Sequence, residues 1–420
     1  MTCCFSSAPA SGIVIIPAGA NIQPYVDANP AGMTYQLSAG TYTGQTVWPK
    51  SGDTYYGAAG LATVLDGGGG SSERHAFSAY SGTINVTIDG LVIKNYVDSP
   101  NSNLTRGVLN ISPSNPGWTL RNSDIGPNVG VGVEVVSGMT VRNNKIHDNS
   151  WLGINGYTGS SNIVVDNNDI YNNNTSHDSP YVYSGHDVAF AAGIKIFNCS
   201  YITFLNNRIH GNYGFGLWFD ADWHHVTVTG NEIYGQLRDT YHTNQAGIGL
   251  MLEIGLAGGD YLSNIINDNY IHDEDVGMLI ATSGDLDIYG NAFAGNRIAT
   301  IRAFEEPRGN GANGVIRQEQ HVHIHDNWFA YSQGVNSQRD EDSVFLWYNQ
   351  DNTYTNNTYY ISCGNADFAY QGEKWVDTNN RVGSYTQWMA LPSNPDSTST
   401  FNCGQTSLPV GVGPRGGYVG

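Results

Sequence analysis

The feature that most constrains this chain is a short step that keeps returning: an Asn at a turn, then an apolar residue two positions later. Its fullest copies are Asn143-Asn144-Lys145-Ile146-His147-Asp148-Asn149, Asn167-Asn168-Asp169-Ile170-Tyr171-Asn172-Asn173 and Asn206-Asn207-Arg208-Ile209-His210-Gly211-Asn212. Shorter copies are Asn231-Glu232-Ile233, Asn269-Tyr270-Ile271, Asn291-Ala292-Phe293, Asn327-Trp328-Phe329 and Asn357-Thr358-Tyr359, with Asn122 a weaker early one. Counted from Asn122 through Asn144 to Asn357, the spacings are 22, 24, 39, 24, 38, 22, 36 and 30 residues. A fixed period of this size marks a solenoid. The short spacings fit one coil of three brief strands, and the long ones a coil plus an inserted loop. Alternating runs such as Ile163-Val164-Val165, Ile202-Thr203-Phe204 and Val226-Thr227-Val228 precede the steps and turn one face inward. The expected fold is all-β: a parallel β-helix of about ten coils, right-handed because parallel crossovers take that hand. Stacked Asn residues are expected to adopt left-handed turns and to bond from coil to coil.

The composition agrees with this reading. Only 13% of the 420 residues are charged, and 52 are Gly. Long surface helices need Lys, Glu and Arg, whereas tight turns favour Gly and Asn. A net charge of −19 leaves no basic stripe for nucleic acid. No run approaches the length of a membrane span, and Met1-Thr2-Cys3-Cys4 carries no visible signal peptide. Residues 1–66 are read as an N-terminal cap with the first coils, 67–362 as the β-helix and 363–420 as a C-terminal cap, one structural domain overall. A short helix over residues 21–30 is expected to cover the first coil. Cys199 is expected to be buried, while Cys363 and Cys403 either pair or stay reduced.

A second strand opens each coil, and its outward positions form two columns. The first reads Glu134, Asn155, Lys195, Trp218, Met251, Leu279, Arg302, Phe345. The second reads Val136, Tyr157, Phe197, Asp220, Glu253, Ala281, Phe304, Trp347. Asp220 and Glu253 therefore fall on adjacent rungs, with Lys195 one rung away on the neighbouring column. Two acids so close should not both ionise readily, so one is expected to have a raised pKa, the arrangement acid–base chemistry needs. Asp220, Glu253, Lys195 and Asp222 are the candidate catalytic residues. Trp218, Tyr157, Phe197, Arg302, Tyr241, His224 and Trp347 are candidates for holding a sugar. The insertions at 174–190, 235–246 and 305–320 would wall the same face. His321, His323 and His325 alternate on one strand face, which is simply its outward side, so no metal ligands are assigned.

From Gly117 to about Glu274 the chain resembles the bacterial right-handed parallel β-helix repeat proteins of the pectate-lyase-like superfamily. The residues that carry the resemblance are Gly117-Trp118-Thr119-Leu120-Arg121-Asn122, Ala192-Gly193-Ile194-Lys195, Gly216-Leu217-Trp218-Phe219-Asp220-Ala221-Asp222 and Leu252-Glu253-Ile254. At Met251-Leu252-Glu253-Ile254-Gly255 it departs from the family, where His usually precedes the Glu and Ser follows the Ile. The resemblance implies an extracellular or cell-surface protein whose partner is a polysaccharide; it fixes neither the reaction nor the oligomeric state. Three readings stand at this level. One is a glycoside hydrolase using Asp220 and Glu253. Another is a lyase with Lys195 or Arg302 as base and possibly Ca²⁺ at the substrate carboxylate. The third is a non-enzymatic structural or adhesive solenoid.

Overall fold

The computed structural model describes residues 12–98, 107–176, 182–183, 186–187, 192–238, 246–256, 263–297, 299–304, 309–311, 320–330, 352–361, 375–376, 381–382, 398–403, 405 and 407–413. Three parallel sheets wrap one apolar interior. Two hold thirteen strands each, the first running from Ile13–Ile16 to Thr353–Thr355 and the second from Gly40–Thr43 to Thr400–Cys403. The third holds seven, from Val133–Val135 to Ala299–Phe304. One coil shows the plan: Phe215–Asp220 in the third sheet, His224–Thr229 in the first, Glu232–Tyr234 in the second, then Ile248–Glu253 back in the third. The rungs before Gly117 lack the Asn step, so counting that step sees fewer coils than the sheets contain. Helix Gln23–Asp27 puts Val26 into the core beside Ile22 at the N-terminal end. Cys199 is buried; Cys363 and the Cys403 side chain lie outside the described residues.

Period-two alternation fills the interior with aligned columns. In the first sheet Val141, Val165, Phe204, Val228, Ile266, Ile288, Ile324 and Tyr354 stack in register. In the second the column is Ile146, Ile170, Ile209, Ile233, Ile271, Phe293, Phe329 and Tyr359, the apolar residue of each Asn step. All of these side chains are buried.

The Asn step divides its work between two neighbours. The first residue of the pair takes the left-handed conformation, with φ of +56° at Asn143, +54° at Asn167 and +55° at Asn206. The second is buried and joins the coils. Both the backbone N–H and the side-chain amide of Asn168 donate to Asn207 Oδ1, each at 3.0 Å. Asn207 repeats this onto Asn231 Oδ1 and also donates to Val165 O at 2.9 Å. The left-handed Asn residues also bond from coil to coil as expected, Asn143 donating to Asn122 Oδ1 at 3.2 Å and Asn167 to Asn143 Oδ1 at 2.8 Å, so the step carries an outer ladder beside the buried one. Asn122 moves in register. It is a left-handed residue, and Ser123 occupies the ladder position, its N–H donating to Asn144, 21 residues on.

A second buried ladder runs along the corner between the second and third sheets through Asn128, Asn149, Asn173, Asn212, Gln236, Glu274 and Asn296. Its amides donate to interior carbonyls: Asn212 to Ile170 O, Gln236 to Ile209 O and Asn296 to Ile271 O. The matching acceptor for residue 274 is the carbonyl of Ile233, and a carboxylate has no proton to give it. Glu274 is fully buried, and burial pushes its carboxyl up to about 8.

On the outer side of the second sheet His147, Tyr171, His210, Tyr234 and His272 stack face to face. Their centroids are 4.9, 5.2, 4.8 and 4.9 Å apart. Burial opposes charge on His147, but Asp124 and Asp148 outweigh it and raise its pKa.

Two predictions follow from the ladders. Asn207→Ala strands the Val165 carbonyl and the Asn168 N–H in the interior, at about 1–3 kcal/mol for each group. Asn206→Gly keeps a residue tolerant of positive φ and should change stability by under about 1 kcal/mol. Urea denaturation of both variants compares them. Glu274→Gln restores the missing donor. Because the folded pKa of Glu274 lies above its unfolded value near 4.3, its contribution is complete below that value and is lost as pH rises through about 8. The Gln variant should therefore melt higher than the parent at pH 9 and show a flatter dependence of Tm between pH 5 and pH 9.

Candidate active site

Three strands of the third sheet build the site: Ala192–Phe197, Phe215–Asp220 and Ile248–Glu253. Leu217, Phe219, Leu250 and Leu252 point into the coil and are fully buried. Strand alternation therefore sends Trp218, Asp220, Met251 and Glu253 to the outer side. The register aligns Lys195 with Trp218 and Met251, and Phe197 with Asp220 and Glu253. The column assignments read from the sequence hold from Glu134 to Arg302 and from Phe197 to Phe304.

The acids on adjacent rungs have different partners. Lys195 Nζ lies 2.8 Å from Asp220 Oδ2 and 3.4 Å from the centre of the Trp218 ring. The same indole donates from Nε1 to Glu253 Oε2 at 3.0 Å. Trp223 Nε1 donates to the Glu253 backbone carbonyl at 2.8 Å and fixes the strand end. An ammonium and an indole N–H thus keep the two carboxylates from facing each other alone. The repulsion expected from spacing is relieved by separate donors.

The outer face of this sheet is not open. Lys195, Asp220 and Glu253 retain 5%, 8% and 9% of their exposure, and Trp218 retains 5%. Trp151, Leu152, Phe215, Met251 and Leu279 belong to a second apolar cluster on this side. The charged groups therefore sit in a recess. Burial disfavours the Lys195 ammonium by more than Asp220 and Glu253 restore, and its pKa is pushed down to about 8.

Other candidates lie apart from this group. Phe197 is one rung from Asp220 and exposed. Tyr157 is half-buried and packs against the main core. Arg302 stands four rungs from Lys195 along its column, about 19 Å at 4.8 Å per rung, too far to share its chemistry. Asp222 lies past the strand end in the turn, at φ +54°. His224 is half-buried with Nδ1 2.7 Å from His225 Nδ1; burial, then His225, lowers its pKa. Tyr241 and Trp347 lie outside the described residues, as does most of the three insertions. His321 and His325 bond to Asp285 and Asp287 of the preceding coil, each at 2.8 Å. Asn155 donates to buried Glu134 at 2.9 Å, extending the polar stretch two rungs toward the N-terminal end.

A family model described as "Right handed beta helix region" matches residues 102–253, which include Lys195, Asp220 and Glu253. The chain is thus a right-handed parallel β-helix protein. No curated protein sequence matches it. Among solved structures, the complex of XylC with xylose has a TM-score of 0.58 at 12% identity, covering 86% of this chain and 83% of that one. The catalytic unit of a GH87 α-1,3-glucanase from Streptomyces thermodiastaticus has a TM-score of 0.54 at 15% identity, covering 96% and 70%. The A-module of the mannuronan C-5 epimerase AlgE6 from Azotobacter vinelandii has a TM-score of 0.52 at 15% identity, covering 93% and 97%. At such identities the likeness is one of fold.

The ion pair makes a stability prediction. Asp220→Ala leaves the Lys195 ammonium buried without its carboxylate and should cost about 3–5 kcal/mol. Replacing both, as Lys195→Met with Asp220→Leu, removes the stranded charge and should recover most of that loss. Denaturation of the single and double variants tests this; equal losses in the two would show that the charges do not depend on each other.

Proposed function

We propose that this chain is an extracellular carbohydrate-active enzyme that cleaves glycosidic bonds of a polysaccharide with Asp220 and Glu253. The observation that carries the reading is the pair of acids on adjacent rungs, one bonded to an ammonium and the other to an indole N–H. Glycoside hydrolysis asks two carboxyl groups for opposite roles, and unlike surroundings are how a protein assigns them. Asp220, ion-paired to Lys195, takes the base or nucleophile role. Glu253, beside Trp218 and among apolar neighbours, takes the acid role. Trp218 is the positioning residue between them, because one ring touches both Lys195 and Glu253. The exposed Phe197 is the natural platform for a neighbouring sugar. The glucanase and epimerase of similar fold act on polymeric sugars, which supports the substrate class. A polymer too large to enter a cell supports the location. Among the described residues no helix is long and apolar enough to cross a membrane.

One observation favours a second chemistry. A lysine brought down to about 8 is partly a neutral amine at mildly alkaline pH, which suits proton abstraction from a uronate in β-elimination. Calcium at the substrate carboxylate has little support here. Beside Lys195 the described carboxylates are Asp220 and Glu253, both engaged, and a calcium site needs about six to eight oxygens.

A polysaccharide panel screened for new reducing ends tests the proposal, with Asp220→Asn plus Glu253→Gln as the control. The double variant should lose at least about a thousandfold in rate; undiminished activity ends the proposal, as does an inactive parent across the panel. Ultraviolet absorbance from an unsaturated product separates elimination from hydrolysis. Elimination by Lys195 should also accelerate as pH rises through about 8, where the amine loses its proton.

A further inference from the structure

We infer that Glu73, His75 and Asp98 form a binding site for a divalent transition-metal ion of the zinc class. The site is separate from the acids above. It lies where the third face begins, beside the short pair Phe77–Ser78 and Leu109–Asn110, about four rungs or 19 Å from Lys195.

Two neighbouring coil segments bring the ligands together. Arg74 bridges to Val97, and Val97 in turn to Val129, so the residues flanking each bridge converge. One ligand atom from each of Glu73, His75 and Asp98 lies within 4.8 Å of the others. Ligands about 2.1 Å from a shared zinc ion stand roughly 3.4 Å apart in a tetrahedron. The adjustment this asks for is small, since His75 Nε2 and Glu73 Oε1, 2.9 Å apart, need only widen slightly. It falls to Glu73, which is exposed, whereas His75 and Asp98 are buried at 5% and 2% exposure.

The cluster geometry carries the argument, and the hydrogen bond of His75 to Gly107 fixes the orientation of its ring. Its Nδ1 lies 2.6 Å from the Gly107 carbonyl, which can only accept, so Nδ1 carries the hydrogen. In the neutral ring Nε2 is then a lone pair. That lone pair stands 2.9 Å from Glu73 Oε1, itself an acceptor. Two acceptors hold that distance only with a cation or a proton between them. One nitrogen and two oxygens suit zinc better than calcium, which takes oxygen alone. Donation from the second ring nitrogen to a backbone carbonyl is also how metal-binding histidines are oriented.

Gly107 sets the orientation of two ligands at once. Its carbonyl accepts from His75, and its N–H donates to Asp98 Oδ2 at 3.3 Å. Its φ is +59°, and an added Cβ would lie 2.9 Å from Gly132 O. A side chain at this position would displace both ligands.

The test uses the full, tag-free chain stripped with EDTA and titrated with Zn²⁺ in a calorimeter. One ion per chain is expected, with a rise in Tm on adding Zn²⁺. His75→Ala should abolish both, and His147→Ala, in the ring stack, should leave both intact. Should His75→Ala fail to fold, the exposed Glu73→Gln carries the test and should weaken binding at least about tenfold. No binding by the parent means that a proton occupies the gap and overturns the inference. Binding unchanged in the His75 and Glu73 variants overturns it too.

Discussion

The structure depends on one interaction above the others: a buried side-chain amide that bonds to the same amide one coil away. A parallel β-helix must turn its chain three times per rung, and each turn brings backbone groups toward an apolar interior. Those groups cost about 1–3 kcal/mol each when left without a partner. Asn meets the requirement because it carries two donors and an acceptor on one short arm. Asn207 accepts two bonds from the coil before it, passes two to the coil after it and caps an interior carbonyl. The aligned Ile, Val and Phe columns stack in register because this polar spine fixes the position of the turn in each coil.

The spine also explains where the chain is free to vary. From the ladder position of one coil to that of the next the spacing is 21 to 39 residues across the central coils, yet the bonds are the same. In sequence, insertions 174–190 and 235–246 join the second sheet to the third and 305–320 joins the third to the first, so each borders one face, that of the third sheet. That face is the one whose outer side is apolar and covered, while the outer sides of the other two carry paired ions and stacked rings. A covered face is also where a charge can be separated from water, which the other two do not offer.

Much of this was legible in the sequence, for a physical reason. The ladder and the interior columns are local patterns repeated at a period, so spacing alone brought Asp220 beside Glu253 and Lys195 beside Trp218. What spacing does not carry is the reach of a side chain across columns. The Lys195–Asp220 ion pair and the Trp218–Glu253 bond are diagonal contacts, which spacing along one column does not show. The burial of the outer columns does not follow from alternation, which tells the side a residue takes and not whether that side is covered. The second ladder was partly visible as Asn149, Asn173 and Asn212, but its continuation through Gln236 and Glu274 changes residue type and hides the period. The ring stack had a plain signal, His or Tyr next after the Ile of each step. Glu73, His75 and Asp98 precede the first Asn step, where no repeat drew attention to them.

The strongest argument that the acids have a task comes from the residues beside them. Met251 and Leu279 continue the column of Lys195 and Trp218, and Ala281 continues the column of Asp220 and Glu253. They are buried to a similar degree and carry no charge. The fold therefore accepts apolar side chains at these positions, one rung away, without loss of register. Buried ion pairs are seldom more stable than apolar residues of similar size, and replacing one is often neutral or stabilising by about 1–4 kcal/mol. Stability alone gives no reason for Lys195, Asp220 and Glu253 to be charged where their neighbours are not. Neither is solubility served by groups so nearly closed to water. The proposed chemistry would supply that reason, since an ammonium brought down to about 8 and two carboxylates in unlike surroundings suit proton transfer.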